Sequence, residues 1–442
     1  MNEPTFHTRR KFIRTGVLGG AMAWTLPVFL EKTFFALDAA AADSAVQTLT
    51  GKDSPILVVL QLAGGNDGLN TVVPFSDDAY YKARPRIGIA AGNTLKLNDQ
   101  IGLNSRLSKL RGLYDSGELA LIQGVGYPNP NRSHFRSTDI WQTATDSDKF
   151  DRHGWLGRYF DSCCGGEDPA VGVSIGRETP LAFSAKEPKG ITLARPEQFR
   201  FIAESASNPE KTEDMFREMN GMDSGSGDDN AGGTVQSLGA AGAMVGGETM
   251  DYLRRTALDA QISSDKILEI TRKVRSSASY PGGQLANSLS LVARLIAGGM
   301  STRVYYVSQG GYDTHSNQGG SHDRLMGELD AALGAFVADL KAQGNFDRVM
   351  LMTFSEFGRR VSQNANNGTD HGAAAPMFLA GPKVQAGIAG AFPSLAPKDL
   401  LNGDIRFTTD FRSVYAGVLE QWLGANSNAI LGKKFAPLKV VA

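Results

Sequence analysis

The chain has 442 residues, of which 41% are hydrophobic and 51 are glycine, and its formal net charge is −1. This length allows one large α/β domain or two smaller ones. The composition is more typical of a globular, loop-rich enzyme than of a disordered or fibrous chain. Because the charges nearly balance, no nucleic-acid partner is expected.

Residues 1–42 have the three parts of a bacterial export signal. Arg9 and Arg10 begin a charged region, an apolar run covers residues 15–30, and four alanines at 39–42 form a small-residue cleavage site. The paired arginines resemble a twin-arginine signal, which predicts that the folded protein is exported by the twin-arginine machinery to the periplasm or secreted. Glycines and a proline interrupt the apolar run, so we expect no stable membrane span, with a membrane anchor as the alternative.

The two cysteines, Cys163 and Cys164, are neighbours. Adjacent Cα atoms lie about 3.8 Å apart, whereas disulfides usually span about 4.4–6.8 Å. We therefore expect two unreactive thiols in a loop rather than a disulfide, a metal site or a redox site.

Apolar runs and helical periodicity predict an alternation of strands and helices. The predicted strands are residues 56–62, 119–125, 303–309, 349–354 and 376–380. The predicted helices are residues 103–113, 249–277, 286–297, 321–342 with Ser321 as its cap, and 408–419 with Asp410 as its cap. This order predicts an α/β fold with a mostly parallel sheet and helices on both faces. Residues 43–442 are predicted to form a single domain with a flexible insertion near residues 205–250.

Acidic residues and histidines lie directly after or before these strands. In parallel sheets, ligands bind at the carboxyl ends of the strands. These acidic residues and histidines are Asp67, Asp313, His315, Glu356 and His371. Such side chains bind zinc or manganese, or magnesium and calcium where oxygen ligands dominate. The alternatives are that Asp67 only forms a turn and that Glu356 and His371 belong to an ordinary surface loop.

Ser133 lies where a helix is predicted to begin. A serine at this position caps the helix through its side-chain oxygen. The same position favours a bound anion or a developing negative charge. The two interpretations are compatible.

The order of these residues resembles that of the alkaline phosphatase superfamily, which includes the sulfatases. More narrowly, nearly the whole chain resembles an exported bacterial family known as domain of unknown function 1501. The motifs that carry this resemblance are Gly64-Gly65-Asn66-Asp67-Gly68, Ser133-His134-Phe135, Tyr312-Asp313-Thr314-His315, Ser355-Glu356-Phe357-Gly358-Arg359, Thr369-Asp370-His371-Gly372 and Asp410-Phe411-Arg412-Ser413. The superfamily has Asp-His where this chain has Glu356-Phe357, so a ligand of a second metal is missing, and His134 or Asp370 are the candidate substitutes.

The resemblance implies an exported, metal-dependent hydrolase of phosphate- or sulfate-type esters, acting on a small-molecule or glycan-borne anionic ester. Ser133 would be the nucleophile or a metal-bound hydroxyl, and Arg359 or Arg132 would clamp the anionic oxygens. The primary metal would be held by Asp313, His315 and His371. A second metal would be held by Asp67 and Glu356, or these two residues would orient the ligands of the first metal. The chain lacks the sulfatase motif of a Cys or Ser followed by Pro and Arg, so an ordinary sulfatase is not expected. The alternatives are a non-catalytic exported binding protein that keeps the fold, and a structural scaffold.

Overall fold

The computed structural model describes residues 54–164, 169–186, 190–194, 263 and 265–442. Ala42–Leu193 and Ile270–Ala442 form one compact unit, which contains every element named below. The predicted export signal, the predicted insertion near 205–250 and most of the predicted helix at 249–277 lie outside the described residues, and they stay predictions.

The described strands are β1 (Ile56–Leu62), β2 (Val72–Val73), β3 (Thr94–Lys96), β4 (Gly102–Asn104), β5 (Leu119–Gly126), β6 (Gly172–Ile175), β7 (Ile191–Leu193), β8 (Val304–Gln309), β9 (Val349–Phe354), β10 (Ala375–Ala380), β11 (Gly387–Ala389) and β12 (Thr409–Asp410). Nine of them form one sheet, in the order β11-β5-β10-β9-β1-β8-β6-β7, with β12 paired to β5. The five strands predicted from apolar runs are confirmed, with end residues that differ by one position at most.

The sheet is parallel except at β10. Strand β1 lies between β8 and β9 and runs parallel to both, so that Leu57 is opposite Val304 and Met350. Strand β10 runs antiparallel to β9 and to β5, so β5 points in the same direction as β9. The carboxyl ends of β1, β5, β8 and β9 therefore meet at one edge of the sheet, and β10 begins at that edge.

Helices cover both faces of this sheet. The α-helices named here are α1 (Gly68–Thr71), α2 (Asp78–Ala83), α3 (Ser108–Asp115), α4 (His134–Thr143), α5 (Trp155–Cys163), α6 (Gln284–Ala297), α7 (Gln318–Ala342), α8 (Phe411–Gly417) and α9 (Ser427–Leu431). All seven residues of β1 are buried, because its alternate side chains face a helical layer on each side.

One face packs against α4, α5 and α8, whose aromatic rings form the centre of a hydrophobic cluster. Trp141 of α4 stacks on Phe354 of β9 and on Phe411 of α8, with ring centroids 5.4 and 4.3 Å apart. The other face packs against α6, which contacts both β8 and α7. The predicted two-sided α/β architecture is confirmed.

The prediction for residues 103–113 is wrong in its first half. Gly102–Asn104 is strand β4, which lies between β2 and β3 in a three-stranded sheet, and the helix begins only at Ser108. Leu103 is fully buried by these cross-strand neighbours. The tertiary pairing therefore overrides the helical spacing of the leucines.

Two other helix predictions are confirmed with changed bounds. Helix α7 begins at Gln318, and its N-cap is Asn317 in the left-handed region rather than Ser321. Helix α8 begins after Asp410, whose side chain accepts a hydrogen bond from the backbone N–H of Arg412 as predicted.

The prediction of two free thiols is wrong, because Cys163 and Cys164 form a disulfide at the end of α5. Their Cα atoms are 3.8 Å apart. The usual Cα span applies to bridges between separate segments, whereas neighbouring side chains reach each other by turning to the same side. This bond therefore joins no distant parts of the chain.

Among the described residues, no helix combines the length and the apolar character needed to cross a membrane.

Candidate metal centre

The loops at the carboxyl edge of the main sheet carry all the residues that the sequence predicts for the site. They are Asp67 after β1, Ser133 after β5, Asp313 and His315 after β8, Glu356 and Arg359 after β9, and His371 before β10. The structure brings some of these side chains together in one cluster and holds the others in separate contacts.

Asp313, His315 and His371 come together. Oδ1 of Asp313 lies 3.0 Å from Nε2 of His315 and 3.1 Å from Nε2 of His371, and the two Nε2 atoms are 2.9 Å apart. These are the three residues predicted as ligands of the primary metal.

His134 is a fourth member of this cluster, and the sequence indicated it only as a substitute. The ligand atoms of His134, Asp313 and His371 all lie within 4.8 Å of one another, which is close enough to share one metal ion. Nε2 of His134 is buried without a hydrogen-bond partner among the described residues, and it lies 3.4 Å from Oδ2 of Asp313. A buried polar atom without a partner costs free energy, so a bound cation at this position would remove that cost.

Each of the three histidines is anchored through its other ring nitrogen. Nδ1 of His134 contacts Oε1 of Glu356 at 2.8 Å, Nδ1 of His371 contacts the backbone oxygen of Arg132 at 2.7 Å, and Nδ1 of His315 contacts Oδ1 of Asp370 at 3.3 Å. A carbonyl and an ionised carboxylate can only accept, so each Nδ1 is the donor. In the neutral imidazoles, each Nε2 then presents its lone pair to the cluster.

Two lone pairs cannot form a hydrogen bond, so the 2.9 Å contact between Nε2 of His315 and Nε2 of His371 needs a metal cation or an additional proton. Two nitrogens bound to one zinc ion at about 2.0–2.1 Å lie roughly 2.9–3.4 Å apart at coordination angles of about 90–110°. The 2.9 Å between Nε2 of His315 and Nε2 of His371 is consistent with that geometry. Anchoring of the second ring nitrogen to an oxygen is also typical of metal-binding histidines. The residues present therefore fit a divalent metal ion.

The buried side chain of Arg359 fixes the position of Asp313. Its Nη2 donates to Oδ1 of Asp313 at 2.7 Å, and its guanidinium also donates to the backbone oxygens of Gly65 and Thr369. Burial opposes ionisation of Asp313, but the hydrogen bond and the charge of Arg359 favour the carboxylate, and the pKa of Asp313 lies below its ordinary value of 3.8. The Arg359 side chain is 0% exposed, so it positions Asp313 and has no surface for contact with a substrate.

Asp67 lies in a separate, buried ion pair. Its Oδ2 is 2.6 Å from Nη1 of Arg84, and the two side chains are 1% and 0% exposed. Oδ2 also accepts from Gln318, and Oδ1 accepts from the backbone N–H of Leu69 as the N-cap of α1. Because both oxygens are engaged and the charge is neutralised, Asp67 is not placed in the ligand set that we propose below.

Glu356 acts on the cluster through His134. Its Oε1 accepts from Nδ1 of His134 and from the backbone N–H of Gly64, both at 2.8 Å, and its side chain is 3% exposed. The carboxylate therefore orients a histidine and ties the loop after β1 to β9.

Ser133 is exposed at the N-cap position of α4. The structure confirms the predicted helix start, but the serine side chain makes no capping hydrogen bond. Its hydroxyl lies one residue before His134 and is not committed to the helix.

Gly64 is the point where the loop after β1 approaches the cluster. Its φ is +118°, and a Cβ atom there would lie 2.5 Å from the backbone nitrogen of Asp313. Only glycine tolerates both conditions. Gly64 thus brings the loop after β1 against the segment that carries Asp313.

These features define an α/β protein with three histidines and one aspartate gathered at the carboxyl edge of a mostly parallel sheet. The chain belongs to the family described as "Protein of unknown function (DUF1501)", whose model matches residues 55–432. No curated protein matches it.

Solved structures similar to the chain include a protein of the alkaline phosphatase superfamily from Vibrio parahaemolyticus, with 11% identity, coverage of 92% of this chain and 78% of that chain, and a TM-score of 0.34. The phosphonate monoester hydrolase SpPMH from Silicibacter pomeroyi has 10% identity, coverage of 87% and 78%, and a TM-score of 0.34. The lipoteichoic acid synthase LtaP from Listeria monocytogenes has 10% identity, coverage of 82% and 72%, and a TM-score of 0.29. Likenesses at this level do not assign an activity to this chain.

Proposed function

We propose that this chain is a metal-dependent hydrolase of phosphate- or sulfate-type esters that holds one divalent cation between His134, Asp313, His315 and His371. The observation that supports the proposal most strongly is the orientation of the three histidines, each anchored at Nδ1 and turned towards Asp313 at Nε2. A scaffold that only satisfies its own polar groups has no reason to direct three lone pairs at one carboxylate.

The donor set favours zinc, followed by manganese. Imidazole nitrogen suits zinc and other transition metals, whereas magnesium and calcium prefer oxygen ligands. When bound, such a cation supplies Lewis acidity that polarises a phosphoryl or sulfuryl oxygen.

Ser133 is the nucleophile in this proposal. Its hydroxyl is exposed and lies at the start of α4, where the helix dipole favours negative charge on the hydroxyl oxygen and on an anionic substrate. The next residue in the chain, His134, belongs to the cluster. Arg359 keeps the Asp313 carboxylate in position and ionised.

The substrate class is a small-molecule or glycan-borne anionic ester. The proposed setting is the periplasm or the cell exterior, which rests on Arg9 and Arg10 and the apolar run behind them.

The test combines elemental analysis with an ester panel. Purified protein should contain one equivalent of zinc or manganese and should cleave at least one chromogenic aryl phosphate mono- or diester or aryl sulfate. His371→Ala should lose both the metal and the turnover. The matched control is His153→Ala, because His153 is a partly exposed histidine whose side chain pairs with Asp151, and it should retain both.

Turnover by wild-type protein shown to be metal-free would refute the proposal, as would metal retention at full stoichiometry in His371→Ala. Wild-type protein that binds metal and cleaves no member of the panel would favour the non-catalytic binding protein instead.

A further inference from the structure

The side chains of Arg132 and Arg360 contact a buried carboxylate beside the proposed metal centre. Asp404 has a fully buried side chain, and its Oδ2 accepts from Nε of Arg132 at 2.9 Å and also from Nη2 of Arg132. Its Oδ1 lies 3.5 Å from Nε of Arg360. Asp404 therefore pairs with guanidinium groups from two different loops, through hydrogen bonds from Arg132 and an ionic contact with Arg360.

Both arginines are tied to the cluster through their backbones. The backbone oxygen of Arg132 accepts from Nδ1 of His371 at 2.7 Å. The backbone N–H of Arg360 donates to the backbone oxygen of Asp370 at 3.0 Å, next to the bridge between Arg359 and His371. The arginines are therefore fixed relative to the histidines.

The two guanidinium groups remain open to solvent. The side chains of Arg132 and Arg360 are 39% and 38% exposed, whereas Asp404 is 0% exposed. Neighbouring residues along an extended chain point to opposite sides, which explains why Arg360 is exposed although Arg359 is buried.

The charges near the cluster also indicate an anionic ligand. A divalent cation and Arg359 would balance the carboxylates of Asp313, Glu356 and Asp370, so the metal centre alone would be nearly neutral. Arg132 and Arg360 exceed Asp404 by one positive charge. Planar guanidinium groups bind carboxylate, phosphate and sulfate oxygens through paired hydrogen bonds.

We propose that Arg132 and Arg360, held by Asp404, form a subsite for a second oxyanionic group of the substrate, so that the preferred ester carries two anionic groups. This inference rests on the proposed function, because it assigns the first oxyanion to the metal centre. Arg359 has no exposed surface, so it cannot supply this subsite.

The test compares three non-hydrolysable probes by calorimetry on zinc-loaded protein. Phenylphosphonate carries one anionic group, and 3- and 4-carboxyphenylphosphonate carry a second. Wild-type protein should bind the better carboxylated isomer roughly fivefold more tightly than phenylphosphonate, which is the gain expected of a partly exposed ion pair. Arg360→Gln should lose this gain and keep its affinity for phenylphosphonate, and Arg360→Lys should keep part of the gain.

The matched control is Arg111→Gln. Arg111 is a similarly exposed arginine, paired with Asp115 on α3, and its helix leads to the amino end of β5 rather than to the site, so the control should bind both probes like wild type. Equal wild-type affinity for the probes, or a retained gain in Arg360→Gln, would overturn the subsite while leaving the metal centre intact. Failure of zinc-loaded wild type to bind phenylphosphonate would overturn the metal centre and the subsite together.

Discussion

Replacing Arg84 with Met should lower the free energy of unfolding by about 3–5 kcal/mol, because it leaves a buried carboxylate without its counter-ion. Nη1 of Arg84 lies 2.6 Å from Oδ2 of Asp67, and neither side chain is more than 1% exposed. The remaining guanidinium donors contact Oδ1 of Asn70 and the backbone oxygens of Val361 and Arg360. Because the pair is buried, water cannot solvate the Asp67 carboxylate in place of the lost guanidinium.

A double-mutant cycle separates the ion pair from the packing. Asp67→Asn combined with Arg84→Met removes both charges, so the double variant should be more stable than Arg84→Met alone. The exposed pair of Arg111 and Asp115, with side chains 31% and 54% exposed, is the matched control, and Arg111→Met should cost less than about 1 kcal/mol.

The measurement is urea unfolding followed by circular dichroism, with free energies compared at equal slopes. A loss below about 1 kcal/mol in Arg84→Met, or a coupling energy near zero in the cycle, would show that the pair is hydrated or weakly coupled and would refute the reasoning.

The same pair sets a dependence on pH. Burial raises the pKa of Asp67, but the charge and hydrogen bond of Arg84 outweigh burial, and the net shift is downward from 3.8. A lowered folded-state pKa contributes stability above the unfolded pKa, and this contribution is lost as the pH falls through the folded value. The stability that the ion pair gives to wild type should therefore decrease below about pH 4, which urea unfolding at a series of pH values measures.

Two further substitutions test the cluster. Glu356→Ala should weaken metal binding by about 10- to 100-fold, because Nδ1 of His134 loses the oxygen that orients the ring; competition with a chelator measures this, and an unchanged affinity would contradict the role given to Glu356. Gly64→Ala should destabilise the fold and reduce bound metal, because its Cβ would meet the backbone of Asp313. The control is Gly117→Ala, because Gly117 also has a positive φ but has open space around it. This variant should lower the free energy of unfolding by only about 1–2 kcal/mol and should retain its metal in elemental analysis. Equal metal loss in both variants would refute the contact argument.

The sheet could be predicted because its central strands carry continuous apolar runs. Residues 349–354 are all apolar except Thr353, and the strand has the predicted ends because both faces are covered. Residues 103–113 were mispredicted because leucine spacing fits both an amphipathic helix and a strand followed by a helix. Pairing of Leu103 with Val72 and Leu95 decides between them, and local periodicity does not contain that contact.

The cluster could be predicted in part for a related reason. Asp313, His315 and His371 lie next to strands whose order in the chain indicates a shared edge, whereas the orientation of each ring depends on Nδ1 partners such as Asp370 and the backbone oxygen of Arg132. A backbone carbonyl has no signature in the sequence. His134 could have been identified more firmly from its place directly after Ser133 at a helix start, because a side chain there lies at the same edge as the strand ends.

Asp67 shows why the number of cations cannot be read from acids and histidines alone. An acid at the end of a parallel strand needs a positive partner when it is buried, and a metal ion and a guanidinium both satisfy that need. Here the partner is Arg84, 17 positions further along the chain, in a helix-ending segment that gives no sign of the contact. A search for metal sites in related sequences should therefore ask, for each strand-end acid, whether an arginine can reach it before assigning a metal ion to it.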